Sequence, residues 1–261
     1  MKIAIVVPTA DPKRENPTRC LRAIAETTRH LDVDVQTVVS SGADFRISRS
    51  PNRGMTAGVA GGADMLVLLN DDAFVDAGWL DAFLAAQHAH PEVGVWGALL
   101  RYEDGRIQHA GAHIPLTPVE YFAIAASHRA PFWALRNIAR QRFARHPYMF
   151  EHYRTYDPRH RLDFVTGACA MITRACHEKI GGYDEEYLFG AEDADHALRA
   201  LEAGFEIGMA RGATAVHLDR GTGAALGARA RESEAIFRRK WPADRIARAT
   251  RRSGRKGVYA F

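Results

Sequence analysis

The sequence predicts an α/β fold, with a mostly parallel central sheet flanked by helices, a hairpin, and a helical or loop insertion. Three observations predict it. Up to about residue 100 the patterning runs strand, helix, strand, strand, helix, strand, the alternation of a sheet covered by helices. Lys2–Val7 is a continuous apolar run of strand length, as expected where both faces of a sheet are buried. The chain has 261 residues, 47% hydrophobic and 25% charged. A chain of that length buries roughly 70–75% of its unfolded surface without needing disulfides or a metal to fold.

In order, Lys2–Val7 reads as the first strand; it lacks the length and small-residue cleavage site of a signal peptide. Thr18–His30 reads as a helix, with Cys20, Leu21, Ile24 and Leu31 near helical spacing. Val33–Val39 is a second strand and Phe45–Ile47 a short third. Gly54–Gly62, rich in Gly and Ala, is a loop or a weak helix. Asp64–Leu69 is a strongly apolar strand that stops at Asn70-Asp71-Asp72. Asp76 is expected to cap a helix carrying Trp79, Leu80, Phe83 and Leu84. Val93–Leu100 is a strand, and Arg101–Ile114 a hairpin, because Asp104-Gly105 suits a tight turn. Pro115–Arg161 is rich in Arg, His and aromatic residues with weak periodicity, and reads as an insertion or lid. Leu162–Val165 and Ala168–Thr173 return to strand-like sequence around Thr166-Gly167. Helices follow at Arg174–Ile180 and Glu192–Ala203, stopped by Gly181-Gly182 and Gly204. Two short strands, Phe205–Met209 and Ala213–His217, precede a helix over Ala228–Trp241. With no repeat and no clean linker, one domain over 1–261 is expected: a nucleotide half at 1–114, the insertion at 115–161, an acceptor and catalytic half at 162–241, and a basic tail at 242–261.

No apolar run approaches the roughly 18 residues of a membrane-spanning helix. Cys20, Cys169 and Cys176 are scattered and form no CxxC. A reduced, cytoplasmic protein without a thiol-zinc site is expected. Charge is uneven. The net +4 resolves into +8 over residues 229–261, +6 over 128–161 and −10 elsewhere. The two basic segments read either as solvated helix surface or as attraction to a polyanion, such as an anionic membrane face or a lipid diphosphate. Nucleic acid is disfavoured, since neither segment carries a zinc finger, an RNP-like string or a helix-turn-helix.

Four constellations carry candidate chemistry. Asn70-Asp71-Asp72 ends the most apolar strand. Ligands of open parallel sheets sit beyond the carboxyl ends of strands, where two carboxylates suit Mg²⁺ or Mn²⁺ on a substrate diphosphate. The same three residues also suit an ordinary turn. Glu192-Asp193-Ala194-Asp195-His196 reads as a general base at a helix start, or as acids favoured by the helix dipole with i,i+4 pairs Glu192–His196 and Asp195–Arg199. His217 ends a short strand and is either structural or an imidazole ligand. Pro8-Thr9-Ala10-Asp11 follows the first strand, and is a nucleotide-facing loop or a plain turn. No GxGxxG follows the first strand and no GxxxxGK[ST] occurs, which disfavours dinucleotide enzymes and P-loop NTPases.

Together these strings resemble family-2 glycosyltransferases of the GT-A (Rossmann-like) fold, particularly the bacterial rhamnosyltransferase-like branch. The strings are Ile5-Val6-Val7-Pro8-Thr9, Asn52-Arg53-Gly54, Leu68-Leu69-Asn70-Asp71-Asp72, Gly78-Trp79-Leu80 and Asp104-Gly105-Arg106-Ile107-Gln108-His109-Ala110-Gly111. They continue through Val165-Thr166-Gly167-Ala168, Gly181-Gly182-Tyr183-Asp184-Glu185, Phe189-Gly190-Ala191-Glu192-Asp193-Ala194-Asp195, His217, and Phe237 with Lys240-Trp241.

The resemblance implies a metal-dependent, inverting transfer of a hexose or deoxyhexose from a nucleoside-diphosphate donor. The implied acceptor is a glycan or polyprenyl-diphosphate-linked hydroxyl in bacterial polysaccharide or lipopolysaccharide synthesis. It implies Asp72 and His217 at a divalent cation (Mn²⁺ or Mg²⁺), and Asp193 as the base with Glu192 orienting the acceptor. Pro8, Thr9, Asp11, Ser40, Asn52, Asn70, Asp71, Thr166 and Gly167 fall on the nucleotide-sugar side. Asp71 would contact the ribose or sugar. Ser40-Ser41-Gly42-Ala43 stands where the family places an Asp after the second strand, with Asp44 as a substitute, and the stretch from Asn52 to Asp64 is short. The implied location is cytoplasmic, peripheral on the inner face of the cell membrane. The alternative is a catalytically degenerate module that binds a nucleotide sugar or glycan. A nucleotidyltransferase is disfavoured, because Pro8–Asn16 holds no glycine to grip phosphates.

Overall fold

The computed structural model describes residues 1–40, 46–116, 151–218, 223–252 and 257–260. Its strands are β1 (Ile3–Thr9), β2 (Val33–Val39), β3 (Met65–Leu69), β4 (Ala73–Val75), β5 (Val93–Arg101), β6 (Ile107–His109), β7 (Ala112–His113), β8 (Glu151–His152), β9 (Cys169–Thr173), β10 (Glu206–His217) and β11 (Val258–Ala260). The helices are α1 (Glu15–Thr27), α2 (Arg49–Ala60), α3 (Trp79–Ala89), α4 (Arg174–Ile180), α5 (Glu192–Glu202), α6 (Gly223–Lys240) and α7 (Ala243–Arg252). The main sheet runs β11-β10-β5-β9-β3-β1-β2, with β4 on β10 and β6 on β5. Along it β1, β2 and β3 pair in parallel, as do β5, β10 and β11. β9 runs antiparallel between β3 and β5.

The apolar runs are continuous because the sheet is covered on both faces. Ala4, Val6, Leu66 and Leu68 face one core with Met55 of α2, Leu198 of α5, Phe237 of α6 and Ile246 of α7. Ile3, Ile5, Val7, Val67 and Leu69 face the other with Cys20 and Ile24 of α1 and Trp79, Leu80 and Phe83 of α3. The period-2 alternation of strand side chains divides each run between the two cores.

The structure revises several elements. Residues 46–48 form a turn into α2, so no third strand forms there; Phe45 and Asp44 lie outside the described residues. The Gly/Ala-rich stretch is helical, and its glycines set how closely α2 lies on β1. A Cβ on Gly54 would stand 2.2 Å from Val6 Cγ1, and one on Gly58 2.6 Å from Ala4 Cβ. Overpacking costs about 1–3 kcal/mol, more than the roughly 1 kcal/mol alanine gains over glycine in a helix. Gly54→Ala is therefore expected to lower the urea midpoint, whereas Thr56→Ala, exposed on the same helix, is not.

Asp76 does not cap α3, whose N-cap is Gly78. Its carboxylate pairs with Arg101 (2.5 Å) and accepts from the Thr214 hydroxyl, tying β4 to β5 and β10. Leu162–Val165 makes only an isolated bridge, Phe164 to Ala112. Asp163 explains the irregularity: nearly fully buried, it accepts from Ile114 N (2.9 Å) and pairs with His113 (2.7 Å) and Arg161 (2.9 Å). The two strands expected at 205–217 are one, β10, interrupted by a register shift between Ala210 and Thr214. The tail expected at 242–261 is built into the fold. Ile246 and Ala249 of α7 are buried, and β11 extends the sheet beside β10. An Arg-dense helix with few apolar residues gave that stretch little hydrophobic signal. Residues 117–150 of the expected insertion lie outside the described residues; its end, β8, pairs with β7. The three cysteines are buried and free. Among the described residues no helix is long and apolar enough to cross a membrane.

Candidate active site

The chain reverses its direction across the sheet between β1 and β3, and the crevice outside such strand ends is where open α/β sheets bind ligands. β1 delivers Pro8 and Thr9 to this edge, β2 delivers Ser40, β3 delivers Asn70-Asp71-Asp72, and β10 delivers His217. Antiparallel β9 begins at the same edge, so the preceding loop, Val165–Ala168, lies there too. Thr9 Oγ1 donates to Asp71 Oδ2 (2.6 Å), and Ser40 N donates to Thr9 O (2.9 Å). Burial raises the Asp71 carboxyl above its usual range, with donation from Thr9 opposing and the neighbouring Asp72 charge adding to the rise. Asp11 is exposed; its N–H donates to Thr9 Oγ1 (3.3 Å) and its Oδ1 accepts from Lys13 N (3.0 Å).

Asp72 and His217 meet: Asp72 Oδ1 lies 3.1 Å from His217 Nε2. Asn70 Nδ2 is 3.3 Å from the same ring nitrogen. The register brings this about, since β4, directly after Asp72, pairs antiparallel with the end of β10, placing Ala73 opposite His217. The other ring nitrogen, Nδ1, lies 2.8 Å from Gln108 Oε1. Gln108 Nε2 donates to His217 O (3.3 Å). A carbonyl oxygen only accepts, so the amide nitrogen must face it and Oε1 must face the ring. The Nδ1 atom therefore carries the proton. Nε2 is then the ring nitrogen turned to the side where Asp72 presents an oxygen. This nitrogen–carboxylate pair fits a divalent cation that completes its shell from a substrate diphosphate. Among the described residues, no three His, Cys, Asp or Glu side chains converge to hold a metal by themselves.

Val165–Ala168 links this corner to the second acidic motif. Asn70 N donates to Ala168 O (2.9 Å), and the Gly167 N–H donates to the Asp193 carboxylate. Thr166 N donates to His109 Nε2 (3.2 Å), which fixes that ring with its proton on Nδ1, facing His152 Nδ1 at 2.9 Å. Burial pushes both imidazoles down, His109 well below its usual value and His152 to about 4. Both rings stay neutral near pH 7, and the loop is held by uncharged hydrogen bonds.

Gly190 (φ 81°) and Ala191 (φ 70°) turn the chain into α5 through the left-handed region. That region costs a non-glycine residue of order 1 kcal/mol, and here it turns the chain at the start of the acidic motif. Asp193 is partly exposed and its Oδ1 also accepts from Ala194 N (2.8 Å), whereas Glu192 is buried. Burial raises both carboxyls, Glu192 to about 8 with the Asp193 charge as the second cause, and Asp193 to about 6. Glu192, the more buried of the two, is raised further than Asp193, so it is the member that holds its proton more tightly. The pairing of Asp195 with Arg199 forms (2.7 Å), and Asp195 Oδ1 also accepts from Trp241 Nε1 (2.8 Å). The Glu192–His196 pairing does not form: Glu192 Oε2 and His196 Nε2 are each buried without a hydrogen-bond partner.

Asn52 stands apart from the metal corner. Its amide clamps the Tyr183 backbone, accepting from N (2.7 Å) and donating to O (2.7 Å), so α2 is tied to the loop after α4. It also lines an open cavity of about 800 Å³ between α2 and the last residues of β2. Sequence reading missed the roles of Gln108, His109 and His152. The hairpin holds an available signal: two polar residues, Gln108-His109, inside a short strand. The register pairs Leu100 with His109 but Arg101 with Ile107, so Gln108 is a bulge residue. Strand neighbours ordinarily point to opposite faces, and a bulge re-aims one of them. Both side chains are buried here.

The profile of the family described as glycosyltransferase like family 2 matches residues 1–240. The chain is 33% identical over 148 residues to the O-antigen biosynthesis protein RfbC of Myxococcus xanthus, covering 57% of this chain and 10% of that protein. It is 26% identical over 179 residues to the N-acetylglucosaminyl-diphospho-decaprenol L-rhamnosyltransferase of Mycobacterium tuberculosis (strain ATCC 25618 / H37Rv), covering 64% and 54%. The matches thus span about half, or much less, of these curated relatives. The crystal structure of GalNAc-T7 with UDP, GalNAc and Mn²⁺ superposes with a TM-score of 0.54 at 12% identity, over 83% of this chain and 43% of that one. That likeness is one of fold.

Proposed function

This chain belongs to glycosyltransferase family 2 and has the GT-A fold, and on that premise we propose that it transfers a sugar, with inversion, from a nucleoside diphosphate to an acceptor hydroxyl. The observation that carries the proposal is the Val165–Ala168 loop, hydrogen-bonded to Asn70 on one side and Asp193 on the other. It joins two acidic motifs more than 100 residues apart in the chain, which supports their acting at one site.

Asp193, charged while Glu192 keeps its proton, accepts the acceptor's hydroxyl proton as that oxygen attacks the anomeric carbon. The bond from that carbon to the diphosphate breaks, and the nucleoside diphosphate leaves. The buried Glu192 thus acts by leaving Asp193 the single charge of the pair, rather than by touching the acceptor. Asp72 and His217 would hold a divalent cation, Mn²⁺ or Mg²⁺, which when bound offsets charge on the leaving diphosphate. Thr9, held on Asp71, and Pro8 and Ser40 beside it line the nucleoside side with Asp11. Asn52 and the cavity by β2 extend that side. Thr166 and Gly167 border the sugar.

The donor sugar is proposed to be a deoxyhexose such as rhamnose, and the acceptor a glycan or a polyprenyl-diphosphate-linked glycan of surface polysaccharide synthesis. The names of the two curated relatives support this. Peripheral docking at the cytoplasmic face of an anionic membrane is supported by the net basic charge alone, because Arg238, Arg239, Lys240, Arg245 and Arg248 pair with carboxylates of this chain.

A thermal-shift screen of UDP, GDP and dTDP, each with and without MnCl₂, tests the proposal. One nucleotide is expected to raise the melting temperature by several degrees with Mn²⁺ present, since a ligand at 100 times its Kd adds about 2.7 kcal/mol. No shift with any of the three, with or without the metal, would refute it.

A further inference from the structure

We infer that Gln108 is a positioning residue that fixes the ring of His217, so that Nε2, and not Nδ1, is the nitrogen offered to a divalent cation beside Asp72. The inference rests on the proposed cation site and adds to it a residue with no direct contact to metal or donor.

The geometry is specific. Both polar ends of one buried amide go to one residue: Oε1 to the His217 ring at 2.8 Å, and Nε2 to the His217 backbone oxygen at 3.3 Å. The backbone contact fixes which end of the amide faces the ring, and so which ring nitrogen is protonated. A histidine bound to neither metal nor partner exchanges its proton between the two nitrogens. One held by an acceptor at Nδ1 has a single tautomer and a single orientation. Gln108 reaches this position only because it is the extra residue of a bulge, with His109 next to it committed to the Thr166 loop. Its own backbone oxygen accepts from the Arg154 guanidinium, which anchors the bulge from β8's side. An apolar residue of similar size would fill the space but leave the ring free to turn.

Two measurements on the full chain test this. Long-range ¹H–¹⁵N spectra of the metal-free wild type, with His217 assigned through His217→Gln, are expected to show a proton held on Nδ1. In Gln108→Leu, with the Nδ1 acceptor gone, that proton is expected to be lost from Nδ1 in part of the population. Mn²⁺ titration followed by electron paramagnetic resonance, beside UDP, GDP or dTDP, is expected to show about 10–100-fold weaker uptake in Gln108→Leu. Gln108→Glu, which keeps an acceptor at Nδ1, is expected to stay within a few-fold of wild type. Metal-free nucleotide affinity is expected to be the same in all three. Wild-type protein that takes up no Mn²⁺ beside any nucleotide would overturn the cation site itself, and this inference with it. Normal wild-type uptake with unchanged affinity in Gln108→Leu, or a wild-type Nδ1 that carries no proton, would overturn the role of Gln108 alone. The wild-type reading does not use Gln108→Leu, so the test stands even if that variant does not fold.

Discussion

Replacing Asp193 by Asn is expected to lower kcat by about 10²–10⁴-fold, the contribution of a well-placed general base, while nucleotide affinity stays within about twofold. Asn keeps the size and an acceptor oxygen for the N–H groups of Ala194 and Gly167, so the loop that joins the two motifs survives. What it removes is the atom that takes the proton. The wild-type pH profile should report the same group. Asp193 is raised to about 6 and Glu192 to about 8, both by burial first. Below about pH 6 the base is protonated, and kcat/KM is expected to fall about tenfold per unit. Stability is expected to move the other way. Both folded-state values lie above those of the unfolded chain, so the folded protein binds more protons between the ordinary carboxyl range and about pH 8. Their contribution to stability is complete below that window and is lost as pH rises through it. Steady-state kinetics and urea melts between pH 5 and 9 read both effects. An Asp193→Asn variant with near-normal turnover would remove Asp193 from the base role. A wild type that binds nucleotide yet turns over no donor sugar would point to a binding module instead.

Chelation with EDTA is expected to bring transfer to background, and Mn²⁺ or Mg²⁺ to restore it. Asp72→Asn is expected to lower kcat/KM by about 10³-fold in saturating Mn²⁺, since the charge stabilisation at stake is several kcal/mol. Among the described residues the Asp72 carboxylate meets the side chain of His217, whereas Asp71 is engaged by the Thr9 hydroxyl and is expected to matter for donor binding more than for the metal requirement. Full activity in EDTA would refute the assignment of Asp72 and His217.

Much of the architecture was legible in the chain. Arg174–Ile180 and Val33–Val39 form the elements expected, to the residue, because a capping threonine, a stopping glycine and β-branched residues at alternate positions are local signals. Elements whose reasons lie elsewhere were misread. The Gly-rich stretch forms α2 because β1 accepts a helix at glycine distance. Asp76 is taken by Arg101 and Thr214, so its capping preference is overridden. Arg154, Arg159 and Arg161, within the expected basic surface, are spent on Gln108 O, Asp157 and Asp163. The acidic motifs and His217 were legible because their chemistry is written in residue type. Gln108, His109 and His152 were not, since a neutral amide and two lone histidines carry no such signature until something packs against them.

The sequence by itself determined most of the strands and helices, the two-faced burial of the sheet's centre, and the residue types at the ends of β3 and β10 and at the start of α5. Those follow from hydrophobic period and from carboxylates placed where a strand stops or a helix begins. Only the tertiary structure decided that Val165–Ala168 holds both acidic motifs, that Glu192 is buried while Asp193 is partly exposed, and which nitrogen of His217 faces Asp72. Each depends on burial and on hydrogen bonds between residues tens to more than a hundred positions apart. Such contacts shift a proton or fix a ring only after the chain has closed around them.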